Sequence, residues 1–342
     1  VRTFSVAYDV GERSSKYNID ADVAEQVSKQ FGTKHTRITV NMKENLMENF
    51  TKCVAQMDEP HASSTNISTY LMSQKVKQEG VTVVLSGDGS DEIFEGYGRY
   101  QYDMKTDLIR HIPAFIRDHL SSFSRDKSKL NKIHSGLVKA QLKPFSHERY
   151  LTWWEIFKPS KRAEMINSDW LRSEYSPEPL IDDYFKQVNS SNHQEALSYV
   201  DLKLWIAEES NMRMDKMTMA HALESRAPFL DYRLVEYAMS IPFGRKASLG
   251  KAKYLLKDTF EDILPDYVVK RPKWGFFPPV HYWVNEGLLN ESKMLLNALT
   301  KTGIFKDTIL DSVKEDYLKV PHNIWTLMVF ALWYDIYIEK II

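Results

Sequence analysis

The N-terminal part of the chain combines the two periodicities that distinguish strands from helices. The segment TFSVAYD, residues 3–9, alternates apolar and polar side chains, a pattern that predicts a strand. From Asp20 the segment ADVAEQVSKQF has helical spacing and ends at Gly32, a residue type favoured at helix C-terminal caps. The strand-like HTRITV follows. The chain therefore opens with one predicted β-α-β unit.

Two further helices and a third strand are predicted before residue 100. Helical spacing in MKENLMENFTKCVAQM breaks at residues 58–60 and resumes in STYLMSQKVKQEG, where Gly80 is a candidate cap. The following VTVVLS is apolar on both faces, as a central strand of a parallel sheet requires. Residues 1–100 are therefore predicted to form an open parallel α/β layer with at least three strands.

The pattern after Tyr100 is helical and predicts no further strand. We expect an insert over residues 101–195 and a largely helical remainder over residues 196–342. In the second of these, LKLWIAEESNMRMDKMTMAHALE predicts one long helix, with four apolar residues facing the core: Leu204, Met212, Met219 and Leu223. The apolar run from Trp325 to Tyr334 is about half the length that spans a bilayer, so we interpret it as a buried helix.

Composition and charge narrow the classes of partner. Forty-five basic and 46 acidic residues give a net charge of −1, which supports neither a nucleic acid nor a membrane as partner. The single cysteine, Cys53, excludes an internal disulfide framework, and its helical context predicts a buried packing role. The N-terminus lacks the pattern of a secretory signal. These features predict a cytoplasmic protein; a homo-oligomer is compatible with them.

The densest cluster of candidate chemistry follows the third predicted strand. We call SGDGSDE, residues 86–92, the acidic loop. Ligands of open parallel sheets bind beyond the carboxyl ends of strands, and glycines let the backbone approach a ligand closely. Four carboxylates within eight residues repel one another, which favours a divalent cation such as Mg²⁺ bound with phosphates: Asp88, Asp91, Glu92 and Glu95. A capped turn without a ligand would use the same residue types.

Basic residues that could bind phosphate lie further along the chain. The segment VVKRPKWGFFPPV brings together Lys270, Arg271 and Lys273, although a solvated basic loop has the same composition. The segment SLGKAKYLLKDTF superficially suggests a Walker A loop, but Ala252 stands where Ser or Thr would bind magnesium. Neither a dinucleotide fingerprint nor zinc-ligand spacing occurs. Glu224 and Arg226 are expected to flank a helix end, where a structural pairing is favoured over ligand contact.

Four segments in order resemble the synthetase domain of glutamine-dependent asparagine synthetases: LSGDGSDEIFEGY, MRMDKMTMAHALESRAPFLDYRLVEYAMSIP, GKAKYLLKDTF and KRPKWGF. The resemblance covers nearly the whole chain and is weakest over residues 101–195. It implies an α/β fold of the ATP pyrophosphatase type. It also implies that ATP and Mg²⁺ activate the side-chain carboxylate of aspartate as an acyl-adenylate, which ammonia from glutamine then attacks.

The resemblance also implies roles for individual residues. Val6, Ser86 and Gly87 would hold AMP, and Asp91 would bind magnesium. Lys253 would bind pyrophosphate, and Lys273 would stabilise the transition state. Arg271 is a further candidate phosphate-binding residue on its own chemistry, because its guanidinium can fork onto phosphate oxygens. Asp88 would assist the amine step, where the best-known members carry a glutamate, so the reach of its carboxylate is one methylene shorter.

The chain also departs from the family pattern. The S-G-G-x-D-S loop that binds pyrophosphate, the strand before it and the glutaminase domain have no counterpart in residues 1–342. We therefore expect a fragment of a longer enzyme that binds ATP poorly by itself. Two alternatives stay open: a related amidotransferase or β-lactam-forming ligase that uses another carboxylate, and a noncatalytic homologue that serves as a binding module.

Overall fold

Four short strands form two separate parallel pairs in a computed structural model, which describes residues 1–41, 45–124, 131–172, 176–271, 275 and 277–340. β1 (Arg2–Asp9) pairs with β2 (Lys34–Asn41), and β3 (Val83–Leu85) pairs with β4 (Glu224–Arg226). The β1–β2 register aligns Arg2 with Lys34 and Asp9 with Asn41. The chain is therefore a mixed α/β protein with small parallel sheets.

Helices form most of the remaining structure. The first group is α1 Ser14–Tyr17, α2 Ile19–Phe31, α3 Leu46–Met57, α4 Thr65–Gln78 and α5 Ser90–Ile93. The second is α6 Gly98–Arg110, α7 Ala114–Ser124, α8 Asn131–Gln141, α9 His147–Leu151, α10 Pro159–Met165, α11 Glu178–Gln187 and α12 His193–Asp201. The third is α13 Met212–Met219, α14 Tyr232–Ser240, α15 Phe243–Lys246, α16 Tyr254–Thr259, α17 Asp266–Val269, α18 Val280–Tyr282, α19 Leu289–Leu299, α20 Ile309–Ser312, α21 Asp316–Lys319 and α22 Pro321–Tyr337.

Shorter elements connect these helices. Leu202–Asn211 is π-helical and joins α12 to α13 without a break, and Trp283–Gly287 is a second π-helical segment. One-turn 3-10 helices occupy Gly11–Arg13, Ser168–Trp170, Pro228–Leu230 and Thr300–Thr302. In the described part of the chain, no helix is long and apolar enough to cross a membrane.

The local predictions for residues 1–85 are largely confirmed. The three predicted strands exist, and the helix that starts near Asp20 ends at Gly32, which has a φ of +63°. Gly80 follows α4 with a φ of +76°. These glycines adopt the left-handed conformation that terminates helices, and any other L-residue would be strained there. Cys53 is buried in α3, as its spacing predicted.

The prediction that the third strand is buried on both faces is wrong. Val83 is 53% exposed and Leu85 is 75% exposed, because β3 pairs only with β4 among the described residues. The prediction that no strand follows Tyr100 is also wrong. Glu224 and Arg226 were expected to flank a helix end, but they lie on β4. Their three-residue strand has no apolar alternation, so its sequence carries no strand signal.

The predicted long helix over residues 202–224 exists as the π-helical segment and α13, but it ends earlier, at Met219, and its predicted apolar stripe is partly wrong. Met219 is 48% exposed at the last residue of α13, and Leu223 is buried only after the chain has left the helix. Leu204 and Met212 pack at the edges of two apolar clusters. The π-helical segment shifts the side-chain rotation, so a stripe drawn at 3.6 residues per turn does not stay on one face.

The main apolar core joins the two ends of the chain. Tyr8 on β1 and Phe50 on α3 pack in one cluster with Trp283, Trp325 and much of α22. The predicted buried helix near the C-terminus is thus confirmed. A second cluster lies around Tyr100 and α11–α12, and a third, small cluster packs α5 against α14. The small cluster fixes the segment that follows β3.

Candidate active site

The acidic loop begins where β3 ends, and backbone pairing extends into it. The Ser86 N–H donates to the Arg226 carbonyl oxygen at 2.8 Å. Gly89 has a φ of +89°, a conformation that glycine adopts at little cost. A Cβ at this position would lie 2.2 Å from Leu230 Cδ2, so the turn also needs the absence of a side chain. Helix α5 then starts at Ser90 and has acidic residues in its first turn, as predicted.

The structure brings the predicted magnesium ligand and the predicted pyrophosphate lysine together. Lys253 Nζ lies 3.1 Å from Asp91 Oδ1, and it donates a hydrogen bond to Ser90 Oγ at 2.9 Å. The two charged side chains are only 18% and 17% exposed. Because partial burial weakens the screening by water, this contact is stronger than a surface ion pair.

Gly96 forms the backbone wall behind this pair. Its N–H donates to the Asp91 carbonyl oxygen at 2.7 Å, which closes the turn after α5. A Cβ at position 96 would lie 1.9 Å from Asp91 Oδ1 and 2.2 Å from Lys253 Cε. The close approach of Asp91 and Lys253 therefore depends on a residue without a side chain.

A cavity of 810 Å³ adjoins the pair, and we call it the basic cavity. Five of its lining residues are basic and three are acidic, so its net charge favours an anion. The basic residues are Lys251, Lys253, Lys257, Lys270 and Arg271, and the acidic ones are Asp20, Asp258 and Glu261.

Arg271 and Lys257 close one side of the basic cavity. The Arg271 guanidinium donates a hydrogen bond to the Asp20 carboxylate on α2. Lys257 Nζ donates to the Arg271 carbonyl oxygen at 3.2 Å. Burial lowers the pKa of Lys257, since a charged ammonium loses hydration there.

Val6 and Ser86 lie on two neighbouring cavities. A cavity of 290 Å³ is lined by Val6, and Asp20 lines both this cavity and the basic cavity. A third cavity, of 750 Å³, contains Ser86 and shares Phe4 and Met72 with the second. The second cavity therefore adjoins the basic cavity at α2 and the third cavity at β1 and α4, and the second and third include the predicted nucleotide-contacting residues Val6 and Ser86.

The remaining predicted site residues are placed differently. Asp88 lines none of these three cavities, and its Oδ1 accepts a hydrogen bond from Ser210 Oγ at 3.0 Å. Gly87 is exposed at the loop surface. Lys273 lies outside the described residues. The Ser86 hydroxyl is buried and has no hydrogen-bond partner among the described residues, which leaves it available to a ligand.

Two buried carboxyls follow Asp91 on the same segment. Burial raises the pKa of Glu92 to about 7, and the Tyr97 hydroxyl donates to Glu92 Oε1 at 2.6 Å. Burial also raises the pKa of Glu95, against the opposing effect of Lys246. Of the four acids that the sequence predicts to share a cation, only Asp91 contacts Lys253, which lines the basic cavity. Glu92 and Glu95 belong to the interior.

The residues present fit a phosphate-bound magnesium ion better than an ion held by protein alone. Across the described ranges, no group of three or more His, Cys, Asp or Glu side chains could hold a metal ion. Mg²⁺ commonly uses one or two carboxylates, with phosphate oxygens and water as its other ligands. Asp91 can supply one such carboxylate if Lys253 moves from it to a phosphate.

Sequence reasoning missed some residues of the site. Lys257 is one helical turn after Lys253, and this i, i+4 spacing in KAKYLLKDTF was a signal for a shared face. Glu95 and Lys246 form a buried ion pair that no local spacing reveals, because the two residues are far apart in sequence. The sequence also gave no sign of a site role for Asp20, because its ion pair with Arg271 joins α2 to a loop that is distant in sequence.

Fold and site together define a mixed α/β protein with a carboxylate–lysine pair beside a cavity of net positive charge. Comparison with known families gives a more specific assignment. Residues 1–335 match the family model described as asparagine synthase, and the chain belongs to this family.

Curated relatives agree with this assignment. The chain is 30% identical to asparagine synthetase [glutamine-hydrolyzing] 1 of Bacillus subtilis, in an alignment that covers 99% of the chain and 53% of the relative. It is 26% identical to a putative asparagine synthetase of Mycobacterium tuberculosis, over 94% of the chain and 49% of the relative. It is 22% identical to a Penicillium rubens protein named amidase chyE, in an alignment that covers 74% of the chain and 40% of the relative. The chain thus spans about half the length of the asparagine synthetases it matches.

Proposed function

We propose that this chain is the synthetase part of a glutamine-dependent asparagine synthetase. In the proposed reaction, the side-chain carboxylate of aspartate attacks the α-phosphorus of ATP, and pyrophosphate leaves. Ammonia from glutamine then attacks the acyl-adenylate, which gives asparagine and AMP. Family membership and the relatives named as asparagine synthetases support this reaction.

One observation carries the proposal: Asp91 contacts Lys253, and Lys253 lines the basic cavity. Adenylation develops negative charge on the α-phosphate and on the leaving pyrophosphate. A lysine and a carboxylate-bound magnesium ion at this position would stabilise that charge more in the transition state than in the substrate complex. Lys253 would bind the pyrophosphate group, and Arg271 would add a second cation.

Other roles follow from the resemblance. Val6, Ser86 and Gly87 are proposed to hold AMP, and the positions of Val6 and Ser86 in adjoining cavities agree with this. Asp88 is proposed to assist the attack of ammonia, and Lys273 to stabilise the adenylation transition state. A glutaminase domain on the full-length gene product would be the source of ammonia.

The cavity between β1 and β3 supports a sheet of the ATP pyrophosphatase type. Among the described residues, each of these strands pairs on one side only. Residues 1–4 and 81–86 both line the 750 Å³ cavity, together with Met72 and Val76 of α4. We propose that one further parallel strand lies there and joins the two small sheets. Its following loop would then reach the basic cavity as the missing pyrophosphate loop.

Exchange of labelled pyrophosphate into ATP tests the reaction directly in the full-length gene product. We expect exchange that depends on both aspartate and Mg²⁺. Lys253→Ala and Lys273→Ala should each lower kcat/KM about 100-fold, because each removes a charge aimed at the reacting phosphates. Asp91→Asn should shift the magnesium titration to higher concentration. Lys319→Ala removes an exposed lysine on α21 and serves as the matched control.

Three results would contradict the proposal. Exchange that depends on another carboxylic acid and not on aspartate would identify a related ligase. Pyrophosphate exchange at the wild-type rate in Lys253→Ala would show that the Asp91–Lys253 pair has no role in the reaction. Absence of both nucleotide binding and exchange in the full-length protein would favour a noncatalytic homologue.

A further inference from the structure

A fully buried ion pair lies next to the candidate site and takes no part in the proposed chemistry. Lys246 Nζ is 3.2 Å from Glu95 Oε1, and both side chains have no exposed surface. Neither residue lines the basic cavity. Within 4 Å, the described residues offer Lys246 no second carboxylate and Glu95 no second cation. Burial of such a pair costs desolvation free energy that its mutual attraction repays only in part, so it is a weak source of stability.

Glu95 shapes the turn that carries Asp91. Its φ is +58°, a conformation that strains a residue other than glycine. This turn brings the Gly96 N–H to 2.7 Å from the Asp91 carbonyl oxygen. It also presents the bare Gly96 backbone to both Asp91 and Lys253. The backbone at Glu95 therefore determines the space in which those two side chains meet.

Lys246 belongs to the segment that carries Lys253. It is the last residue of α15, which packs against α16, and Lys253 immediately precedes α16 with a φ of +52°. The first residue of α15 is also fixed, because the Phe243 N–H donates to Glu195 Oε1 on α12 at 2.9 Å. The ion pair thus links the segment of Asp91 to the segment of Lys253 at a second point, away from solvent.

We propose that Glu95 and Lys246 are positioning residues whose buried ion pair holds Asp91 and Lys253 in register for a divalent cation and a polyphosphate. This inference rests on the proposed function for the identity of the ligand. In this proposal, two residues outside the cavity fix the distance between the segment that carries Asp91 and the segment that carries Lys253. Removal of either charge should loosen the turn at Gly96 and let the backbone segments that carry Asp91 and Lys253 shift relative to each other.

Binding of Mn²⁺ with pyrophosphate, followed by electron paramagnetic resonance, tests this in the full-length gene product. Glu95→Gln and Lys246→Met should each raise the half-saturating Mn²⁺ concentration at least fivefold, measured at a temperature where every variant is folded. Lys246→Arg keeps the positive charge and should raise it less than Lys246→Met does. Aspartate-dependent pyrophosphate exchange is measured in parallel, with Mn²⁺ and with Mg²⁺.

A buried group of ion pairs that also includes Asp107 and His193 supplies the control. Arg149 and Asp103 are also fully buried, 2.8 Å apart, in the region of the second apolar cluster. Arg149→Met and Asp103→Asn should lower the melting temperature and leave the half-saturating Mn²⁺ concentration unchanged. Equal shifts in these controls would overturn the proposal, because the effect would then be a general consequence of destabilisation.

The double variant Glu95→Gln/Lys246→Met separates positioning from stability. It leaves no uncompensated buried charge, so it should melt above either single variant. Its half-saturating Mn²⁺ concentration should still be at least threefold above wild type. Wild-type binding in the double variant, or in Lys246→Met, would overturn the positioning role. Mn²⁺–pyrophosphate binding that is weakened in the variants, without aspartate-dependent exchange in the wild type, would refute the proposed reaction and leave the positioning role in place.

Discussion

At the scale of single residues, Gly96 is required by its neighbours more than by its backbone. Its φ is not in the left-handed region, so alanine is compatible with its conformation. The added methyl group would nevertheless overlap Asp91 Oδ1 and Lys253 Cε. Both are side-chain atoms, and they would give way before the fold does.

Gly96→Ala is therefore expected to separate the pair without unfolding the protein. We predict a loss of at least tenfold in pyrophosphate exchange and a change in unfolding free energy of less than about 1 kcal/mol, since the overlapping atoms can move. Gly98→Ala is the matched control, because no atom lies within 4 Å of a Cβ there. Equal activity of the two variants would show that the close approach at Gly96 has no role in catalysis.

Glu92 makes the stability of the folded chain depend on pH. Its folded-state pKa is about 7 because it is buried, with Asp91 and Asp201 adding to the shift, so between pH 4.5 and 7 the folded state keeps a proton that the unfolded state has lost. Stability must then fall as the pH rises through this range. Glu92→Gln keeps an acceptor for the Tyr97 hydroxyl and removes the titration.

Urea unfolding at pH 5 and pH 8 without divalent cations measures this effect. From pH 5 to pH 8, the unfolding free energy of the wild type should fall by about 1–3 kcal/mol more than that of Glu92→Gln. The exposed Glu59→Gln serves as control and should show no such gain. A difference between Glu92→Gln and wild type that is the same at both pH values would contradict the buried, protonated state of Glu92.

At the scale of elements, the predictable features were those encoded by neighbouring residues. Gly32 and Gly80 mark helix ends that the structure confirms. Strand β4 was missed because Glu224 and Arg226 pair with β3 through the backbone alone. The exposure of Leu85 was missed because an apolar pattern shows that a strand should be covered, and does not show which segment covers it.

The proposed additional strand gives Leu85 a different environment in the full-length protein. In residues 1–342 alone, Leu85→Thr should change the unfolding free energy by less than about 0.5 kcal/mol, because this side chain is exposed. In the full-length gene product, the same change should cost about 1–2 kcal/mol, because a neighbouring strand and its side chains would cover the site. Denaturant unfolding of both proteins measures the difference.

An exposed leucine elsewhere controls for the effect of chain length. Leu318 on α21 is also largely exposed, and Leu318→Thr should have the same small effect in both proteins. Equal costs for Leu85→Thr in the two proteins would contradict a strand between β1 and β3.

At the scale of the whole molecule, the sequence identified candidate site residues that lie in motifs, but not the contacts that build the core. The acidic loop and Lys253 were found because each lies in a recognisable motif, and the structure places Asp91 and Lys253 in contact. The packing of Phe50 against Trp325 was not predicted, because residues that are far apart in sequence meet through tertiary packing. The same reason hid the Glu95–Lys246 pair.

The shared core has a consequence for synthesis on the ribosome. Because α22 packs into the same cluster as Tyr8 and α3, the N-terminal elements lack their main apolar partner until the last part of this chain has been translated. A nascent chain of this domain must therefore expose that apolar surface for most of its elongation, and chaperones that bind such surfaces should accompany it until α22 leaves the exit tunnel.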